Sequence, residues 1–458
     1  MSEFTLRRKM MIKTDIIVIG GSAAGLTAAI TARRHYPDKK ITLIRKEKKV
    51  LIPCGIPYIF GTVGSPEKNL MPDSLLEKNN IELVISEATD IDREKKIIHT
   101  KDGEFNYNKL ILATGSKPVM PPIPGFELKG VYAVVKDVEY LESLQNHLEN
   151  VKEIVVIGGG FIGMEFADEI NKLGGKTVTI VEIAPHCLSL AYDEEFCIEM
   201  EEHVRERGIH IQTSQKVERI AGNGKVEKVI LSNGDEINAQ VVILGIGAVA
   251  YNELAKKAKL RIGLTGGIEV DRTMKTSDDN IFCCGDCAEK ISFFGGKPSP
   301  LKLASIASLE ARIAGANLYG LFRENEGTIG VWSTSIGDLA LATAGLTEEM
   351  ANMLGYQIVI STVEGPNRHP GMMPGARLHK LKLIFERTTG VLLGGQVMGG
   401  ESAGEISNII SACIISRMTA NDISMFQVGT HPALTASPVV YPLITAAEIA
   451  IGKIKKIK

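Results

Sequence analysis

At 458 residues the chain is too long for one compact core, which predicts roughly two to four domains. A hydrophobic share of 44% and a charged share of 23% exclude wholesale disorder, and a net charge of −2 makes no electrostatic case for nucleic acid or an anionic membrane surface. Seven cysteines, an odd number, fit a reducing, cytoplasmic setting better than a disulfide framework.

The opening stretch, MSEFTLRRKMMIKTD, carries no apolar run before Ile16, so no secretory signal is expected. Residues 1–10 precede a second methionine, Met11, and are set aside as a vector leader or an alternative start. Apolar runs such as Ile16–Ile19 and Val155–Ile157 have strand length, which predicts no transmembrane helix. A β-branched strand over 15–19 leads into Gly20-Gly21-Ser22-Ala23-Ala24-Gly25, a helix over 26–34 and a second strand over 41–44. The same order recurs: a strand over 153–157, the turn Gly158-Gly159-Gly160-Phe161-Ile162-Gly163, a helix to about Leu173, and a strand over 177–181 ending at Glu182. Strand, glycine turn, helix and strand within about 30 residues make the βαβ unit of a parallel sheet. From about residue 331 the pattern changes. Strand-like stretches at 357–362, 380–385 and 391–398, the turn Thr388-Thr389-Gly390, helical periodicity over 403–418 and a short helix near 439–452 predict an α+β unit. The basic tail, 453–458, reads as a solvated helix end.

Each glycine turn follows a buried strand and opens a helix. Missing side chains let a pyrophosphate approach the backbone, where the helix N-terminus offers N–H donors and positive dipole. In the second turn Gly158, Gly160 and Gly163 complete the three-glycine form, and Glu182 suits the ribose hydroxyls of NADH while repelling the 2′-phosphate of NADPH. In the first turn Ser22 replaces the middle glycine, and Arg45-Lys46 stand where an acid would be. Three later strands complete a flavin site. One, from Lys109, ends in Ala113-Thr114-Gly115, another ends at Gly247, and a third ends in Gly285-Asp286, whose carboxylate suits ribityl hydroxyls. Within that third stretch Cys283, Cys284 and Cys287 form C-C-x-x-C, but a fourth ligand is missing nearby and no metal is expected.

From about residue 12 to 450 these motifs resemble the FAD-dependent pyridine nucleotide-disulfide oxidoreductases. Pro53-Cys54-Gly55-Ile56-Pro57-Tyr58 is similar to the single-cysteine branch, which holds coenzyme A-disulfide reductases, persulfide or polysulfide reductases, NADH oxidases and NADH peroxidases. A second cysteine five positions on would be needed for a dithiol mechanism, and Ile59 stands there. The resemblance implies an α/β fold with two Rossmann-type domains and a C-terminal α+β dimerisation domain. Residues 12–120 and 250–330 would bind FAD, 121–249 NADH, and 331–458 would form a homodimer in which each subunit completes its partner's active site. FAD would contact Gly20 to Gly25, Arg45, Lys46, Ala88, Ala113 to Gly115 and Asp286. NADH would lie on Gly158 to Gly163 and Glu182, with Glu165 near the nicotinamide.

Cys54 follows the basic run 45–49 and is expected to head a helix whose dipole lowers its pKa, whereas Cys187, Cys197 and Cys413 are expected to be structural. The resemblance implies electrons passing from NADH through FAD to a mixed disulfide on Cys54, with a thiol released and the thiolate regenerated. Branch oxidases and peroxidases carry a histidine where this chain has Ala23, which argues for a sulfur acceptor. The Tyr-Ala-Pro-Pro of coenzyme A-disulfide reductases is replaced by a stretch holding His431 and Tyr441, each of which serves either as proton donor from the partner subunit or as interface packing. Arg33, Arg34, Lys39, Lys40, Lys48 and Lys49 suit coenzyme A phosphates or simply a solvated face. The expected activity is NADH-dependent reduction of a coenzyme A disulfide, persulfide or polysulfide. The alternatives are an NADH oxidase, a reductase of a small carrier such as rubredoxin, and a flavin-binding signalling or assembly protein.

Overall fold

A computed structural model describes residues 11–457, so the leader or alternative start at 1–10 lies outside the described residues. Its first parallel sheet runs in the order Ile281–Cys283, Lys109–Leu112, Ile16–Ile19, Ile41–Arg45, Glu82–Ile85. Ile16–Ile19 and Ile41–Arg45 are buried along their whole length, as strands covered on both faces must be, which is why neither shows polar–apolar alternation and the first is wholly β-branched. The crossover helix Ala23–His35 packs on helix Ala304–Ala316 through small residues. A Cβ on Gly315 would lie 2.6 Å from the Ala28 carbonyl oxygen, so close packing here requires glycine. A mixed sheet of Met11–Lys13, Glu104–Asn106, Ile97–Thr100 and Ala88–Asp92, parallel in its first pair and antiparallel in the others, flanks this unit.

The second parallel sheet has the order Val131–Ala133, Val241–Leu244, Glu153–Ile157, Thr177–Val181, His210–Gln212. Chain enters and leaves it side by side, because Ser116–Pro118 pairs antiparallel with Ala248–Ala250. One segment crosses between units. Leu51, Ile56, Ile59 and Phe60, which follow strand Ile41–Arg45 of the first sheet, are buried with Ile154, Phe166 and Ile170 of the second unit.

From Val331 an antiparallel sheet follows in the order Val331–Ile336, Leu339–Gly345, Leu392–Gly399, Leu378–Glu386, Ile358–Pro366. Helix Ala403–Ile415 packs on the first three of these strands, and helix Pro442–Ile457 on the last two. The last helix starts on a proline, whose missing N–H costs nothing at that position, and runs further than the short helix expected near 439–452. Among the described residues no helix is long and apolar enough to cross a membrane.

Candidate active site

The two glycine turns are built alike. Gly20 has φ +113°, and a Cβ there would sit 2.1 Å from the Ala113 carbonyl oxygen; a Cβ on Gly25 would sit 1.8 Å from the Gly20 carbonyl oxygen. In the second turn Gly158 has φ +103°, and a Cβ on Gly163 would meet the Gly158 carbonyl oxygen at 1.9 Å. These glycines let strand, turn and helix close on one another. Gly160 differs. It stands just before helix Phe161–Asn171, has ordinary φ and ψ, and faces open space with no atom within 4 Å of a Cβ. That opening beside the first helical N–H groups fits a pyrophosphate. Ser22 stands at the same place before Ala23 and Ala24, and its side chain caps no helix N–H.

Glu182 folds back onto its own turn. One carboxylate oxygen accepts from Gly159 N–H at 2.5 Å, the other from Ala184 N–H at 2.7 Å. Cys187 lies beneath the same turn, buried, with burial holding its thiol pKa well up. Arg45 is also a floor residue. Its buried guanidinium grips Asp73 with two hydrogen bonds of 2.7 and 2.8 Å and donates to the Glu47 and Lys48 carbonyls, while its side chain underlies Gly21. Lys46 is exposed, with its ammonium 5.8 Å from the Tyr251 ring centroid. Ala88 opens the strand Ala88–Asp92 of the flanking sheet.

Gly115 and Gly247 have positive φ and nothing within 4 Å of a Cβ, so both turns leave open space beside the backbone. Thr114 Oγ1 donates to the Tyr251 carbonyl at 2.7 Å. Asp286 accepts from Ser116 Oγ at 2.7 Å and has the Lys136 ammonium at 3.9 Å. Its turn is braced from below, where Glu310 accepts from Gly285 N–H at 2.9 Å and pairs with buried Lys290. Cys283, Cys284 and Cys287 are wholly buried next to that brace. The cluster whose geometry suits a cation lies elsewhere: Asp193, Glu195 and Glu348, with the Lys382 ammonium seated among them.

Cys54 is exposed, the other six cysteines are buried, and among the described residues every cysteine is free. It does not head a full helix. It lies in the three-residue 3-10 turn Pro53–Gly55, too short to carry a useful dipole. Its thiol pKa is raised, first by desolvation and then by Glu165 and Asp286, with Lys136 opposing. Within the basic run expected to lower it, Arg45 is engaged with Asp73 and Lys49 with Glu67 at 2.6 Å, while Lys46 lies over the Tyr251 ring.

Glu165 projects from helix Phe161–Asn171. Burial pushes its carboxyl up to about 7, against a hydrogen bond of 2.9 Å from Thr334 Oγ1. Phe161, at the head of that helix, stacks on Trp332 with centroids 6.0 Å apart, and Ile162 beside it is exposed. Burial and Glu165 also raise the Tyr58 hydroxyl. His431 is exposed, with Nδ1 accepting from Ala433 N–H at 3.2 Å, and Tyr441 is half-buried against the C-terminal core. Among the described residues no hydrogen bond or ring contact joins either to Cys54 or Glu165. Lys136, Tyr58 and Thr334 are site residues that the sequence reading missed. None sits in a glycine turn or strand-end motif; only Tyr58, four residues after Cys54, carried a positional signal.

Residues 14–311 match the pyridine nucleotide-disulphide oxidoreductase family, and residues 331–440 match the dimerisation domain of the same group. A protein of Methanocaldococcus jannaschii named NADH oxidase is 34% identical over 451 residues, covering 96% of this chain and 99% of the relative. The NAD(P)H coenzyme A polysulfide/persulfide reductase of Pyrococcus horikoshii is 30% identical, covering 96% and 98%. The solved NAD-dependent persulfide reductase of A. fulgidus superposes with a TM-score of 0.90 at 32% identity, over 97% of this chain and 84% of that one. Two Rossmann-type units with an α+β dimerisation domain define a nicotinamide-dependent flavoprotein oxidoreductase. The chain belongs to the pyridine nucleotide-disulphide oxidoreductase family.

Proposed function

We propose that this flavoprotein takes electrons from NADH and reduces a sulfur–sulfur bond, in a coenzyme A disulfide, persulfide or polysulfide, through Cys54. The observation that carries the reading is Cys54 itself: the one exposed thiol among the described residues, without a second sulfur, between Glu165 of one Rossmann unit and Asp286 of the other. Relatives named for persulfide reduction agree with it. FAD fits the Gly20–Gly25 turn, with Gly115 and Asp286 along its length, and NADH fits Gly158–Gly163 with Glu182 at the ribose end. When bound, FAD supplies the two-electron exchange between nicotinamide and sulfur.

The chain's own part is positional and acid–base. The Cys54 thiol first loses its proton, which the raised pKa makes costly at neutral pH unless Lys136 approaches. Its thiolate attacks the acceptor's S–S bond, one sulfur joins Cys54 as a mixed disulfide, and the other leaves as a thiolate that takes up a proton. His431 and Tyr441 have no contact with Cys54 inside one subunit, so a role as donor requires a homodimer in which the partner's C-terminal domain faces the cleft. Reading as an NADH oxidase is the second possibility, favoured by the name of the M. jannaschii relative.

NADH oxidation measured anaerobically with coenzyme A disulfide or polysulfide, and separately with oxygen as the sole acceptor, decides between them. Cys54→Ser is expected to abolish sulfur-dependent turnover while NADH still bleaches the flavin. Turnover with oxygen alone, indifferent to the substitution, establishes the oxidase.

A further inference from the structure

Helix Phe161–Asn171 carries three acids, two of which hold the hairpin that starts at Val331 while the third holds a different segment. Glu165 takes the Thr334 hydroxyl at 2.9 Å. Asp168 accepts from Gly337 N–H at 3.2 Å and pairs with Arg207 at 2.9 Å. Glu169, 1% exposed, accepts from Thr62 N–H at 2.7 Å and from Thr62 Oγ1 at 2.9 Å, with Lys172 balancing its charge at 2.6 Å. The Thr62 bonds reach the segment that holds Cys54. Thr62 N–H also bonds the Tyr58 carbonyl, Ile59 and Phe60 are buried against Phe166 and Ile170, and the Phe60 and Phe166 rings lie 5.2 Å apart. A Cβ on Gly61 would meet the Glu169 carbonyl oxygen at 2.4 Å, so the two backbones touch there.

We propose that Glu169 is a positioning residue that couples nucleotide binding at Gly158–Gly163 to the conformation of Cys54. The dinucleotide turn forms the head of an 11-residue helix, and Glu169 sits in its final turns, so a rigid rod about 15 Å long joins the pyrophosphate cradle to the Cys54 segment. A ligand that orders the head of the rod orders what its tail holds, and a buried carboxylate with two donors from one residue is a directional hold rather than general packing. The inference takes Cys54 as the reacting thiol, but its test does not use turnover, so it can fail independently of the functional reading.

The test is the alkylation rate of Cys54 in FAD-loaded enzyme, with and without saturating NAD+, followed by mass spectrometry of the Cys54 peptide. In wild type NAD+ slows alkylation at least about fivefold, and in Glu169→Ala the effect shrinks below about twofold, the span expected when a coupling is removed. Glu169→Gln, whose amide accepts from Thr62 N–H and donates to Thr62 Oγ1, restores it, which a mere loss of fold would not allow. Thr62→Val, which loses one bond and keeps the carboxylate, gives an intermediate ratio and covers the case in which Glu169→Ala does not fold. Protection that persists undiminished in Glu169→Ala or Thr62→Val would come from nucleotide covering the thiol, and overturns the proposal.

Discussion

Glu165 is the residue whose environment departs most usefully from its sequence context. An ordinary glutamate there would be ionised at neutral pH, but burial lifts its carboxyl from 4.5 to about 7, with Thr334 pulling the other way and Glu169 adding to the rise. A carboxyl raised in the folded state binds more protons folded than unfolded between pH 4.5 and 7, so stability falls as pH rises through that window and the penalty is complete above it. Glu165→Gln removes the penalty. It is expected to stabilise the FAD-loaded protein by on the order of 1–3 kcal/mol at pH 8 and by far less at pH 5, measured by urea titration. Equal gains at both pH values would show that Glu165 titrates normally. The position of Cys54 in Pro53–Tyr58 was legible from sequence, but its electrostatics were not. In the nearby basic run Arg45 is spent on Asp73 and Lys49 on Glu67, and the charges that reach the thiol come from Glu165, Asp286 and Lys136, far away in the chain.

At the scale of elements, both βαβ units were legible because two-sided burial and glycine turns leave strong local marks. The hairpin Val331–Ile336 and Leu339–Gly345 was not. Its first strand, Val-Trp-Ser-Thr-Ser-Ile, is half polar, since one face meets the second Rossmann unit through Trp332 and Thr334; only Gly337-Asp338 marked the turn. The glycine turns themselves separate two kinds of glycine. A Cβ on Gly25 has no space, so Gly25→Ala is expected to break the turn and lose both FAD and stability. Gly160 has ordinary backbone angles and open space, so Gly160→Ala is expected to keep the wild-type Tm while raising KM for NADH roughly tenfold, about 1.4 kcal/mol of lost binding. The paired measurement of Tm and KM checks this; a fallen Tm in Gly160→Ala would mean that the turn is packed there and the opening is not a nucleotide site.

At the scale of the whole molecule, the C-terminal domain is joined to the second Rossmann unit by a buried polar cluster. Lys382, 1% exposed on strand Leu378–Glu386, places its ammonium 2.8 Å from Asp193 and 2.5 Å from Glu195 at the head of helix Glu194–Glu206, and in contact with Glu348. Asp193 is further held by Gln396, which donates to its carboxylate at 2.6 Å and accepts from its N–H at 2.9 Å. Three carboxylates around one cation leave a net negative cluster even when intact, and removing the cation exposes all of the repulsion. Lys382→Met is therefore expected to cost about 3–5 kcal/mol, the range for breaking a buried pair, at neutral pH. Its sign with pH also follows. Against the desolvation that raises it, Lys382 holds the Glu195 carboxyl below its usual range, whereas in the variant Glu195 takes up a proton more readily. The deficit of Lys382→Met against wild type should then shrink as pH falls from 7 to 5, read as the difference in denaturation midpoint. A deficit constant over that range would assign the cost to lost packing of the lysine stem, and the domain junction would be held by its apolar contacts rather than by charge.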